Sequence, residues 1–205
     1  MDKKYELVKE DSIEFYDRTL YRIRALKDFV LINDVTMHKG DFGGYVQSEE
    51  NLSQEGNCWV SGDACVYGDA RVYDNARVFG DACVYGNAWV YGEAMVSGHA
   101  RVFENANVYG NAWVYNDAKV RSNAKVGNNA NICNSADYIC IKGLGTGYST
   151  TTFYKCKDNH IGVTCGCFEG TLDEFVSKVE INKDNKFGKE YLAVVEAVKI
   201  HFGLD

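Results

Sequence analysis

At 205 residues, 46% hydrophobic and 25% charged, the chain has the composition of a globular protein of one elongated domain or two small ones. A net charge of -7 excludes the broadly basic surface that binding to polymeric nucleic acid requires, though local Arg clusters still suit a small anion. No stretch approaches the about 18 consecutive apolar residues of a membrane span, and MDKKYELVKEDSIEF lacks the apolar core of a signal peptide. A cytoplasmic protein with no membrane partner is expected, its eight Cys mostly reduced. There is no Pro, so turns fall to Gly, Asn and Asp.

The first segment, residues 1–42, contains LYRIRALKDFVLI (Leu20 to Ile32), which reads as strands. In GGYVQSEENLSQEGNCWV, Val46, Leu52 and Cys58 stand six apart, and the register then slips by two to Val60. From Val60 to Asp137 thirteen hexads follow without an insertion. Their first position is Val twelve times and Ile132 once; their fifth is Ala thirteen times; their third is Gly seven times, and their fourth is Asp or Asn ten times. In an extended strand the Ala and the next Val lie two residues apart and face the same side. Gly-Asp and Gly-Asn pairs tolerate the positive φ of a sharp corner. Each hexad is therefore a short strand plus a corner, and stacking the hexads buries a core that none could bury alone.

These hexads resemble the hexapeptide-repeat family. That resemblance implies a mainly β fold, a left-handed parallel β-helix of triangular section with eighteen residues per coil and about four to five coils. On this reading residues 43–138 form the prism, its first coil irregular, and residues 1–42 form an N-terminal β cap over its open lower end, which as an uncovered sheet edge would invite aggregation. The Gly-rich IKGLGTGYST marks the boundary to residues 139–205. There TTFYKC and IGVTCGCF read as two strands around KDNH. TLDE fits a capping box at Thr171. Leu172, Phe175, Val176 and Val179 predict one helix, and Phe187, Tyr191, Val194, Val195, Val198 and Phe202 a second, giving a small ββαα unit. GCFEGTLDEF with the following EY-containing helix is similar to a tail module of uncharacterised phage and prophage proteins.

With eighteen residues per coil, residues eighteen apart stack in columns. One face carries Trp59, Arg77, Met95, Trp113 and Asn131; a second carries Cys65, Cys83, Arg101 and Lys119; a third carries Arg71, Trp89, Asn107 and Lys125 beside Tyr73, Tyr91, Tyr109 and Gly127. The aromatic columns either stabilise the ladder, at about 0.2–1 kcal/mol per pair, or serve as an interface. The family implies a homotrimer of prisms packed side by side, with the Trp face or the Tyr73 face in contact. Arg71, Arg77, Trp89, Tyr91, Arg101 and Tyr109 are the candidate ligand residues: rings stack a planar molecule and Arg meets its phosphates. His99 sits in the turn column of Asp63, Asp81 and Asp117; it either relieves an acidic column or is the general base of an acyltransferase, the family's best-known activity. Zinc chemistry of the three-His kind is excluded by the single His in the repeat. Cys65 and Cys83 have the spacing of a disulfide, but free thiols are expected. Cys165 and Cys167 share one side of a strand and read as packing rather than a metal site. The expectation is a non-enzymatic oligomeric protein without cofactor or metal that sequesters a nucleotide-like ligand, an immune signalling nucleotide in the specific case. An acyltransferase using acyl-CoA and a purely structural trimer are the alternatives.

Overall fold

The computed structural model describes residues 3–204. A hairpin of β1 (Tyr5–Phe15) and β2 (Arg18–Ala25) leads to a two-stranded ribbon, β3 (Phe29–Val30) and β4 (Thr36–Met37), and then to β5 (Phe42–Val46). Thirteen two-residue strands follow, one every six residues, from β6 (Trp59–Val60) to β18 (Asn131–Ile132). They pair in parallel at a spacing of eighteen residues, for example Arg71 with Trp89 and Trp89 with Asn107, and so form three faces. The expected three-sided parallel prism is the observed one.

Its interior is the repeat made physical. Every Ala from Ala64 to Ala130 and every first-position residue from Val60 to Ile132 is buried, at 0–1% exposure. The corner falls at the third position. All twelve such residues from Gly62 to Asn128 have φ between +47° and +72°, including Asp74, Glu104, Asn116 and Ser122. Asn134 is extended instead, with φ -148°, and caps a short 3-10 turn over Ser135–Asp137. Winding therefore stops one hexad before the sequence pattern does, and Ala136 is exposed rather than buried.

The irregular first coil is where the register slip placed it. Val46 pairs with Val66 and Leu52 bridges Val72, both twenty apart, whereas Val60 pairs with Val78 at eighteen. The two extra residues are absorbed around Gly56, whose φ is +63° and whose missing Cβ would lie 2.2 Å from Asp74 O. No other residue fits that approach.

Both ends of the prism are closed. Below, Tyr5 donates its hydroxyl to Leu52 O at 2.6 Å, and the buried Lys4 ammonium donates to the carbonyls of Glu55, Gly56 and Cys58. Burial lowers the pKa of Lys4. Tyr5 and Phe29 pack edge-on against Trp59. Above, the backbone N–H groups of Lys119, Arg121 and Lys125 have no further coil to meet, and they donate to Ser135 Oγ, Tyr138 OH and Thr152 Oγ1. Capping with side-chain oxygens satisfies donors that would otherwise template another strand.

The C-terminal unit is wider than the two strands read from the sequence. β19 (Tyr138–Leu144), β20 (Ser149–Lys155), β21 (Ile161–Cys165) and β22 (Phe168–Thr171) form one antiparallel sheet, followed by α1 (Leu172–Glu180) and α2 (Lys186–Phe202). The capping box at Thr171 and Glu174 is present. β20 is buried on both sides: Tyr154 joins the prism core, while Phe153 joins the helices through Phe175 and Val195. Alternation along one strand thus welds the two cores together. No helix among the described residues is long and apolar enough to cross a membrane.

Asp137 latches this junction. It is 3% exposed, accepts from the backbone N–H of Cys133 and Asn134, and pairs with Lys155 at 2.9 Å. Burial pushes its pKa up, but the hydrogen bonds from Lys155, Cys133 and Asn134 outweigh that and hold it below the ordinary carboxylate value. A depressed folded pKa gives stability that is complete above the unfolded value of about 3.9 and is lost as pH falls through the folded one. The urea midpoint of Asp137→Asn is therefore expected to fall furthest below the native midpoint at neutral pH. That gap should close as pH drops below about 4. A gap independent of pH would show that the ionised carboxylate is not what holds the latch.

Candidate ligand-binding face

Four of the six candidate ligand residues lie together. Arg71, Trp89, Asn107 and Lys125 form one in-register column, and Tyr73, Tyr91 and Tyr109 form the column beside it. The tyrosine rings stack 4.9 and 5.3 Å apart, within 3° and 10° of parallel. One coil rises by about 4.8 Å, so the ladder is set by the backbone and the rings fill it face to face. Desolvation by this stacking, then the neighbouring Tyr91 and Asp74, pushes the Tyr73 phenol up to about 12. Trp89 meets Tyr73 edge-on at 6.2 Å and is still 43% exposed. Arg71 and Lys125 are exposed, and neither makes an ion pair among the described residues.

The upper end of this face is walled by the C-terminal unit. Where the column would carry a fourth ring it has Gly127; a Cβ there would lie 2.4 Å from the Tyr109 ring and 2.6 Å from Glu169. The missing side chain lets the β21–β22 turn close over Tyr109. It leaves a cavity of about 320 Å3 between Tyr91, Asn107, Tyr109 and Lys125 on one side and Thr164 and Phe168 on the other.

The other two Arg candidates lie elsewhere. Arg77 is half-buried under the β3–β4 ribbon: its Nη1 donates to Ile32 O at 3.3 Å, it stands 5.0 Å over Phe79, and burial lowers its pKa. Arg101 is exposed on the second face, between Cys83 and Lys119, beside the ladder of Phe15, Tyr67, Tyr85 and Phe103. No single ligand on one prism reaches all six residues. Trp59, read as outward-facing, is covered by the N-terminal segment and is 1% exposed.

His99 is exposed on its turn, with Nδ1 3.3 Å from Asp81 Oδ2 one coil away. Cys65 and Cys83 are free thiols with sulfurs 2.7 Å apart. The hydrogen bond from Cys65 lowers the pKa of Cys83 and that same bond raises the pKa of Cys65. Cys165 and Cys167 do not share a strand, because β21 ends at the first and a turn carries the second. Cys165 packs against Thr151 Oγ1 and Tyr191 OH, and Cys167 is exposed.

Sequence reasoning missed a cleft in the C-terminal unit. About 560 Å3 lies between the Gly145–Ser149 loop, the β21–β22 turn and both helices, lined by Cys165, Phe175, Lys178 and Tyr191. The Gly-rich IKGLGTGYST pointed only to a bend, since nothing local says what packs over it.

Residues 70–86 and 76–92 match the YdcK Beta solenoid repeat, two windows offset by one hexad within the column-forming region. No curated protein matches the chain closely enough to count as a relative. In fold and in repeat, the chain is a β-solenoid protein.

Proposed function

We propose that the chain is a non-catalytic binding solenoid that captures a small, planar, anionic ligand of the nucleotide class on the face of Arg71, Trp89, Tyr91 and Tyr109. The observation that carries this reading is the half-exposed Trp89 indole flanked in its own column by two cations that make no ion pair among the described residues. Arg71 is one coil below and Lys125 two coils above, roughly 5 and 10 Å away by strand spacing. A π face with cations at those distances suits a base and its phosphates. The net charge of -7 disfavours a long polyanion. On this face Arg71 and Lys125 stand with the carboxylates of Asp74 and Glu169 beside the tyrosine column, so the ligand's anionic end is placed at the two cations rather than along the ladder. The assembly we put forward is a homotrimer of aromatic-faced prisms, the ligand lying in the groove between copies. The specific ligand we put forward is an immune signalling nucleotide and the origin a phage counter-defence protein, on the strength of the GCFEGTLDEF resemblance.

Titration calorimetry of the full chain against cyclic dinucleotides and ADP-ribose tests this. Binding is expected for at least one member. Trp89→Ala should then weaken it about 10- to 100-fold, since base stacking on an aromatic is worth about 1–3 kcal/mol. Heat from no member of the panel overturns the reading. Light scattering checks the trimer, which should weigh three times the 22.9 kDa protomer.

One contact favours a second reading, acyl transfer from acyl-CoA. Asp81 sits against Nδ1 of His99, as a carboxylate that orients a general base would. Acetyl-CoA turnover with amines that disappears in His99→Ala would support it.

A further inference from the structure

The turn between β20 and β21 brings three different metal donors together. Cys156, Asp158 and His160 offer a sulfur, a carboxylate oxygen and a ring nitrogen that all lie within 4.8 Å of one another. The His160 and Asp158 donors already converge, with Nδ1 2.5 Å from Oδ1.

The backbone holds these donors in place. Cys156 N–H donates to His160 O at 3.0 Å, and Asn159 N–H donates to Cys156 O at 3.1 Å. Asn159 takes φ +65° to reverse the chain. The turn is anchored to the last coil by the Ala130–Cys156 bridge and by Lys157 N–H donating to Asn129 O at 2.9 Å. Donors at the first, third and fifth residues of such a turn project from a frame with little freedom to rearrange.

We propose that this turn is a binding site for a divalent transition metal of the zinc class. A thiolate with an imidazole selects zinc-like ions over Mg2+ and Ca2+, which take oxygen ligands. One thiolate and one carboxylate cancel the charge of a divalent cation, so a metal here leaves no net charge beside the buried prism core. Binding breaks the Cys156 S–H bond, sends the proton to solvent and forms the metal–sulfur bond. Three protein ligands leave a fourth position. Water fills it from a cavity of about 350 Å3, whose wall His160 shares with Thr171, Asp173 and Lys199. The metal then stiffens the turn that the Ala130–Cys156 bridge and the Lys157–Asn129 hydrogen bond fix to the last coil.

The test is Co2+ titration of the full chain after reduction and chelator treatment. The expected result is saturation at one equivalent, with a near-ultraviolet thiolate-to-cobalt band that Zn2+ erases. Asp158→Asn and His160→Gln alter exposed or half-exposed turn residues and should each weaken binding at least ~10-fold. Cys156→Ser should abolish the band, with circular dichroism confirming the fold, while Cys167→Ser should leave it unchanged. No thiolate band at one equivalent overturns the proposal. So does a band indifferent to Asp158→Asn and His160→Gln, because the metal then sits on another thiol.

Discussion

Val102→Asp is expected to abolish cooperative folding. Val102 is 0% exposed at mid-height of the prism and lies between Val84 and Val120 in register. The carboxyl would point into a column of Val and Ala side chains. Ionised, it has no counter-charge there; protonated, it still lacks a partner, at a cost of roughly 2–7 kcal/mol. Loss of the valine's own burial adds about 1.5–3 kcal/mol. Against a total stability of about 5–15 kcal/mol, little remains. The damage also spreads, because each coil is stable only against its neighbours. Arg101→Asp, one residue earlier on the outer wall, should keep a native-like melt. Thermal circular dichroism of the pair checks this. A Val102→Asp melt close to the native one would mean that the valines do not line the axis.

The second large effect is at the lower cap. Trp59→Ala removes the ring on which Tyr5 and Phe29 both pack. A truncation of this kind costs about 3–5 kcal/mol. It also loosens the segment that covers the bottom edge of the prism, so aggregation should accompany the loss. Trp59→Phe keeps one aromatic ring for Tyr5 and Phe29 to pack on and leaves a smaller cavity, so it should cost clearly less than Trp59→Ala. The reason is specific: Trp59 Nε1 is buried without a hydrogen-bond partner among the described residues, so phenylalanine gives up ring area and no bond. Denaturant midpoints and light scattering of the two variants separate the cases. Equal loss in both would show that the indole nitrogen matters in a way its surroundings do not reveal.

What the sequence by itself determined is whatever repeats locally. Ala and Val two residues apart specify an inward pair, a positive-φ residue specifies a corner, and six residues return the chain to the same state. The slip before Val60, the Thr171 cap and the helical faces at Phe175 and Val195 follow from such short-range rules, whereas the columns needed the eighteen-residue coil that the hexapeptide-repeat resemblance implies. The candidate face was legible to the same degree: Arg71, Trp89, Tyr91 and Tyr109 share a wall because eighteen residues make a coil.

What only the tertiary structure decided is what covers what. Trp59 and Arg77 read as outer-wall residues, and they are; the β3–β4 ribbon then folds over them. Ala136 obeys the pattern, yet Asn134 has left the corner conformation and β20 has taken over the end of the prism. Gly127 stands fourth in the column of Tyr73, Tyr91 and Tyr109, and its missing side chain is the opening for Glu169 and Phe168. Cys156, Asp158 and His160 converge only because a hairpin closes between them. A repeat states the energy of a residue against its own copies in the next coil. It carries no information about partners more remote in the chain, and those partners form both caps and the far wall of the cavity beside Tyr109.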